Sequence, residues 1–306
     1  MTRPGDVLYG SVMSALTDRL AASNHLLFDG AMGTMLQDAG IEPGGAGELW
    51  NVENADAVIA IHTGYLEAGA DIVTTNTFGG SRPRLDMHGL GERVEELNRA
   101  GAEIARRAAE PFGALVAGDI GPSGELLEPM GILTPDDAQA LFEEQLRGLV
   151  AGGIDLVLIE TMSDLDEVAA AVRAAGVVAP ELPVLVTLSF DTKLRTMMGV
   201  TPAQAVAAIA ELGVAGVGAN CGRGPGEMEE IMAAMVAVRP EGLLLVAQSN
   251  AGLPHLVGDR FLYDADPDTM AQHTIALRDL GIDIIGGCCG STHAHLDRMH
   301  ESLISG

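Results

Sequence analysis

Residues 56–76 read DAVIAIHTGYLEAGADIVTTN, and this stretch decides the fold. Its first part repeats apolar residues at intervals of three and four, the spacing of one face of a helix. The pattern stops at Gly69, where a helix-ending glycine belongs. A short apolar run, DIVTTN (71–76), follows at once and ends in a polar residue. A helix that stops just before a buried strand is one half of a strand–helix repeat.

The same unit recurs along the chain. Comparable apolar runs are HLLFD (25–29), ALVAGD (114–119), DLVLIE (155–160), PVLVTLS (183–189), AGVGANC (215–221), LLLVAQSN (243–250) and DIIGGCC (283–289). Helical stretches lie between them. TPDDAQALFEEQLRGLVAGG (134–153) opens with Thr134 as N-cap and Pro135 in the first turn, and TPAQAVAAIAELG (201–213) repeats that opening at Thr201 and Pro202. Strands that are apolar throughout indicate a parallel sheet covered by helices, and eight of them close into a barrel. An open, doubly wound sheet is the alternative, but no GxGxxG follows the first strand. The expected organisation is one α/β domain over residues 1–306, a (β/α)8 TIM barrel with its active site at the C-terminal ends of the strands, and an N-terminal helical extension at 1–23.

Composition narrows the function. Of 306 residues, 43 are acidic and 17 basic, a formal net charge of −26, and Lys193 is the only lysine. Such a surface repels nucleic acid and anionic membrane, both of which bind through phosphate neutralisation. Its sign reads as a solubility property, with recruitment of a basic partner as the other reading. No signal peptide is recognisable at the N-terminus, and no apolar run approaches the ~20 residues that span a bilayer. Three cysteines, an odd number, suit a reducing compartment. A cytoplasmic, soluble protein is expected.

A polar residue stands at almost every strand end, and in a barrel that end carries the chemistry. The set is Asp29, Asn76, Asp119, Glu160, Ser189, Cys221, Asn250, Cys288 and Cys289. It gathers all three cysteines on strands six and eight. GGCCG (286–290) is a poor disulfide, because neighbouring Cα atoms sit about 3.8 Å apart. Three thiolates that converge from two strands suit Zn²⁺, and three protein ligands with one open position mark a catalytic site. Ordinary buried cysteines, or a thiol redox sensor, are the other readings. Asp29 also reads as a cap for the next helix, and Glu160 as a buried structural partner. GDIGPSGE (118–125) lacks the lysine of a phosphate loop and reads as a barrel loop. Met197 and Met198 read as core filler or as a pocket wall.

GANC (218–221) and GGCCG (286–290), with FDGAMGTML (28–36), YLEAGADIVTTNTFG (65–79), IETMSD (159–164) and SNAGLP (249–254), resemble the zinc-dependent homocysteine S-methyltransferases. The resemblance runs over residues 24–303. That family includes the homocysteine domain of cobalamin-dependent methionine synthase and the betaine–homocysteine enzymes, and its fold is the same barrel. It implies a zinc-dependent methyltransferase that makes methionine, with zinc on Cys221, Cys288 and Cys289 and Asn250 in the fourth position before substrate arrives. It further implies that Asp29 and Glu160 hold the homocysteine amino group, with the backbone of Gly30 and Ala31 near its carboxylate.

The stand-alone bacterial betaine type fits the ELWN, TTNTFGG and GRGP segments best, so glycine betaine or a related onium compound is the expected donor. Trp50, the single tryptophan, would offer a face to such a cation from the glycine-rich loop PGGAGELWN (43–51). Two aromatic positions of the animal betaine enzymes are Gly79 and Thr161 here, a departure that weakens the reading. Asn76 and Thr77 follow the methionine-synthase pattern and keep a separate methyl-corrinoid protein as donor, with S-methylmethionine or S-adenosylmethionine third. A zinc-binding or redox-sensing barrel without activity is the alternative from another class.

Overall fold

The computed structural model describes residues 16–257 and 260–305. All eight expected strands form. They are β1 (Leu26–Leu27), β2 (Ile72–Thr74), β3 (Leu115–Ile120), β4 (Leu156–Met162), β5 (Val184–Leu188), β6 (Gly216–Cys221), β7 (Leu244–Ser249) and, last along the chain, β10 (Ile284–Gly287). They lie parallel in the order β1-β10-β7-β6-β5-β4-β3-β2. The sheet closes on itself where Phe28 bridges Ile72: Asp71 N–H donates to the Leu27 carbonyl at 2.8 Å and Asp29 N–H to the Ile72 carbonyl at 3.0 Å. The fold is the (β/α)8 barrel. Between β7 and β10 the chain adds an antiparallel hairpin, β8 (Pro254–Val257) with β9 (Arg260–Tyr263), outside the barrel sheet.

Alternation along the strands sorts the side chains into two layers. On β4, Leu156 and Leu158 join a cluster with Leu26, Phe28, Ile72, Leu115 and Val246 that fills the barrel, while Val157 and Ile159 face the helices. The next inward position is Glu160. By the same count Asp119, Asn220 and Gln248 turn inward above the apolar plug. Leu16 is buried in this interior cluster and Leu20 packs against it, so the helix at 16–23 stoppers the barrel from below. That helix is the described part of the expected extension; residues 1–15 lie outside the described residues. The N-cap readings hold: Thr134 accepts from Asp137 N–H, and Thr201 makes a capping box with Gln204. Among the described residues no helix is long and apolar enough to cross a membrane.

His62, on the helix Ala55–Glu67, is fully buried, and neither ring nitrogen finds a partner among the described residues. Burial lowers its pKa from 6.5 to about 4. The unfolded chain therefore takes up a proton near pH 6.5 that the folded chain refuses until about pH 4. His62 supports the fold above pH 6.5 and loses that contribution as the pH falls towards 4. A gap of this size is worth about 3 kcal/mol. In urea unfolding at pH 7 and pH 4.5, His62→Leu should lose less stability on acidification than the parent by roughly that amount; parallel pH dependences would contradict the assignment.

Candidate active site

The three cysteines meet because β6, β7 and β10 are in register at Ser249. Ser249 pairs with Cys221 on one side and with Gly287 on the other. Cys288 N–H then donates to the Ser249 carbonyl at 2.7 Å, and Ala251 N–H to the Cys289 carbonyl at 2.9 Å. Cys221 adopts φ 60°, left-handed backbone that non-glycine residues rarely take, and this turns its sulfur towards β10. Cys221 Sγ and Cys288 Sγ are 3.0 Å apart, all three sulfurs lie within 4.8 Å of one another, and none is in a disulfide. Hydrogen bonds from Cys221 and Cys288 pull the Cys289 pKa down to about 3, while those same contacts and burial hold the proton on Cys288.

Three close sulfurs form a donor set for a soft divalent metal. A fourth donor stands next to them. Asn250 donates to the Gly222 carbonyl at 2.7 Å, yet its buried Oδ1 has no partner among the described residues, a cost that a metal bond would relieve. The donor set fits the expected metal.

The layer around the sulfurs was not legible beforehand. Asn220 links β6 to β4, giving Nδ2 to Thr161 Oγ1 at 2.7 Å and taking Thr161 N–H at 3.0 Å. The same amide reaches Cys221 Sγ at 3.6 Å and Cys288 Sγ at 3.9 Å. Tyr263 comes down from the β8–β9 hairpin, hydrogen-bonds Cys289 and packs its ring on Gly290. Ser249 Oγ lies 2.6 Å from His273 Nε2, and His273 Nδ1 lies 2.8 Å from Glu229 Oε1. That trio has the residue types of a nucleophilic triad, but Ser249 is sealed from solvent. It braces the strand between the two cysteine segments instead.

A cavity of about 360 Å³ opens above the sulfurs. Asp29 and Glu160 border it, together with Asp119, Gly30, Ala31 and Asn76. Asp29 is not a helix cap, since the helix Met32–Asp38 has no side-chain cap. Its carboxyl instead accepts Thr74 N–H and Thr74 Oγ1–H, both at 2.8 Å. Burial, partly opposed by these bonds, raises its pKa to about 7. Burial and the nearby Cys289 and Asp29 raise Glu160 to about 8. Gly30 cannot be larger, because a Cβ there would sit 2.7 Å from the Tyr65 ring.

Other expectations fall elsewhere. Asn76 borders the cavity, but its amide donates to the Gly47 carbonyl and to Asn51 Oδ1, which ties the first loop to β2. Trp50 starts the short helix Trp50–Glu53, packs against the core and does not line the cavity. Its neighbours at 41–48 form that wall. Met197 is 81 % exposed and Met198 borders a separate surface groove, so neither walls the cavity. Gln248, an inward residue not singled out in the sequence, does line it, and its Oε1 has no partner among the described residues.

A closed parallel barrel with a polar cluster at the C-terminal rim is the architecture of a barrel enzyme. The chain belongs to the homocysteine S-methyltransferase family, whose model matches residues 26–303. It is 34 % identical over 300 residues to methionine synthase of Mycobacterium leprae, and 34 % identical over 293 residues to that of Mycobacterium tuberculosis. These alignments cover 92 % and 90 % of this chain but 24 % of each relative, so the chain spans about a quarter of their length. Its fold superposes on the homocysteine methyltransferase MmuM from Escherichia coli with a TM-score of 0.78 for the metallated form, at 24 % identity, covering 95 % of this chain and 99 % of that one. The apo form gives 0.74 at 23 %, covering 95 % and 100 %.

Asn220→Ala removes the amide that faces two sulfurs and links two strands. It should weaken divalent-metal affinity ~10–100-fold while the fold persists. Competition against a chromophoric chelator measures this, and unchanged affinity would restrict Asn220 to a structural role.

Proposed function

We propose that this protein is a zinc-dependent methyltransferase that moves a methyl group onto the sulfur of homocysteine to give methionine. The observation that carries the reading is the convergence of three cysteine sulfurs within 4.8 Å beside a cavity bordered by buried carboxyls. Cys221, Cys288 and Cys289 would hold the zinc, and the free Asn250 Oδ1 supplies a fourth donor. Zinc on three thiolates supplies activation and orientation of the substrate thiol, which at a free pKa of about 8.5 is mostly protonated at neutral pH.

The chain's own groups do the remaining work. Asp29, steadied by Thr74, and Glu160 face the cavity and pair with the α-ammonium through charge-assisted bonds. The narrow Gly30–Ala31 turn lets the substrate carboxylate approach the backbone. These contacts fix the thiol over the sulfur cluster, and such fixing turns a bimolecular encounter into an oriented one.

The donor in this reading is a small onium compound such as glycine betaine. Asp29, Glu42, Glu48, Asp119 and Glu160 line the cavity and, among the described residues, no lysine, arginine or histidine does, so a cationic donor is electrostatically favoured. Among the described residues Phe78 is the one aromatic in that lining, which favours a compact sulfonium as much as a caged trimethylammonium. A methyl-corrinoid protein is the second reading, favoured by the kinship with methionine synthases. It also suits the exposed Leu126, Met130, Ile132 and Met197 on loops at the cavity end of the barrel.

Zinc-loaded protein with homocysteine and, in turn, betaine, S-methylmethionine, S-adenosylmethionine or methylcobalamin should form methionine with one of the four. No methionine from any of them, with zinc bound, would count against the reading. Cys288→Ser should lose both zinc and turnover; full turnover in a metal-depleted Cys288→Ser sample would remove zinc from the mechanism. Glu160→Ala should keep zinc and bind homocysteine at least ~10-fold more weakly, as calorimetry would show. Unaltered affinity would take Glu160 out of the site.

A further inference from the structure

Asp119 ends the inward-facing row of β3, and its backbone is gripped on every side. Its N–H donates to Thr75 Oγ1 at 2.9 Å, and its carbonyl accepts from Thr77 Oγ1 at 2.8 Å and from Gln145 Nε2 at 3.2 Å. The side chain is 3 % exposed and lines the cavity with Asp29 and Glu160. Its Oδ1 has no hydrogen-bond partner among the described residues, and the carboxyl is hydrogen-bonded to that of Glu160.

Elementary chemistry constrains that pair. An ionised carboxylate only accepts, so two carboxyl groups can share a hydrogen bond only if one of them carries a proton. Among the described residues no cationic side chain lines the cavity, so none is there to bridge them. Asp119 is the more deeply buried of the two, whereas Glu160 keeps access to the cavity. The proton therefore belongs on Asp119, where burial and then repulsion from Glu160 both favour the neutral form.

We infer that Asp119 is a positioning residue, a neutral acid whose hydroxyl donates to Glu160, aims that carboxyl at the substrate's α-ammonium group and stabilises the carboxylate that forms there when the ammonium binds. The inference rests on the homocysteine reading of the site. When the ammonium binds, Glu160 releases its own proton to solvent and Asp119 keeps the one it donates. One ammonium then meets an oriented, singly charged carboxyl pair, and two like charges are never forced together in a dry cavity. Without its donor, Glu160 would hold its own proton more tightly and become a poorer ionic partner. Asp119 thus contributes to selection of an amino acid over an otherwise equal thiol acid.

The test is calorimetric titration of zinc-loaded, full-length protein with homocysteine and with 4-sulfanylbutanoate, its analogue without the amino group. Asp119→Ala should weaken homocysteine binding ~10-fold or more and 4-sulfanylbutanoate hardly at all, because only the first carries the ammonium. Asp119→Asn keeps an N–H donor of similar size and should recover most of the loss. In a Glu160→Ala background, Asp119→Ala should change homocysteine affinity less than ~2-fold, since its partner is gone. Unchanged affinity in Asp119→Ala overturns the inference. So does an Asn variant as weak as the Ala variant, which would mean that an ionised Asp119 is required, or an undiminished effect without Glu160. The Asn variant and the double variant keep the inference open to refutation if Asp119→Ala folds poorly. Absence of homocysteine binding by the parent protein would instead fail the underlying functional reading.

Discussion

Closure of the barrel rests on few bonds. β1 is only two residues long, yet it must join the first strand-and-helix unit to both β2 and β10. The Leu27–Asp71 and Ile72–Asp29 backbone bonds make the seam with β2, and the second of them brings Asp29 to the rim. The Asp29 carboxyl then reaches across to Thr74 on β2, so one residue both completes the sheet and enters the cavity. An open sheet would leave Asp29 and the cysteines of β6 and β10 at separate places along an edge. A closed one faces them across about 360 Å³ of cavity.

Below the seam, the barrel interior is apolar and stoppered by Leu16; above it, Asp29, Thr74, Asp119, Glu160 and Gln248 bring polar groups to the cavity. The change occurs within single strands. Leu156 and Leu158 are followed by Glu160, and Leu115 and Ala117 by Asp119. Placing acids directly over a hydrocarbon plug removes water from one side of them, and desolvation of the charged form is why Asp29, Asp119 and Glu160 all bind protons more tightly than free carboxyls do. The site depends on that property. Carboxyls at rest among themselves form a hydrogen-bonded, proton-sharing set; an ammonium group can draw them into the charged state.

The sulfur cluster follows the opposite logic. Its sulfurs are held by backbone geometry, through the register at Ser249 and the left-handed turn at Cys221, and then surrounded by donors from Asn220 and Tyr263. Hydrogen bonds to sulfur temper the charge of a thiolate cluster, much as outer ligands tune metal sites in general. Ser249, braced by His273 and Glu229, carries this arrangement out to the helical layer.

Much of this was readable from the chain alone. Strand–helix periodicity yields the barrel because a continuous apolar strand flanked by capped helices has few other ways to bury itself, and the polar residues at strand ends mark the rim. Three cysteines at two such ends already imply convergence. Pairings between residues distant in sequence were not readable. Asp119 with Glu160, Asn220 with Thr161 and the sulfurs, and Tyr263 over Cys289 arise from strand register and from a hairpin whose docking no local pattern encodes. Trp50 shows the same limit, since a glycine-rich setting suggested an open loop, while packing placed the ring against the core. Periodicity is a local property of the chain and shows in the sequence; which side chains touch, and therefore which acid keeps its proton, is settled only when the sheet closes.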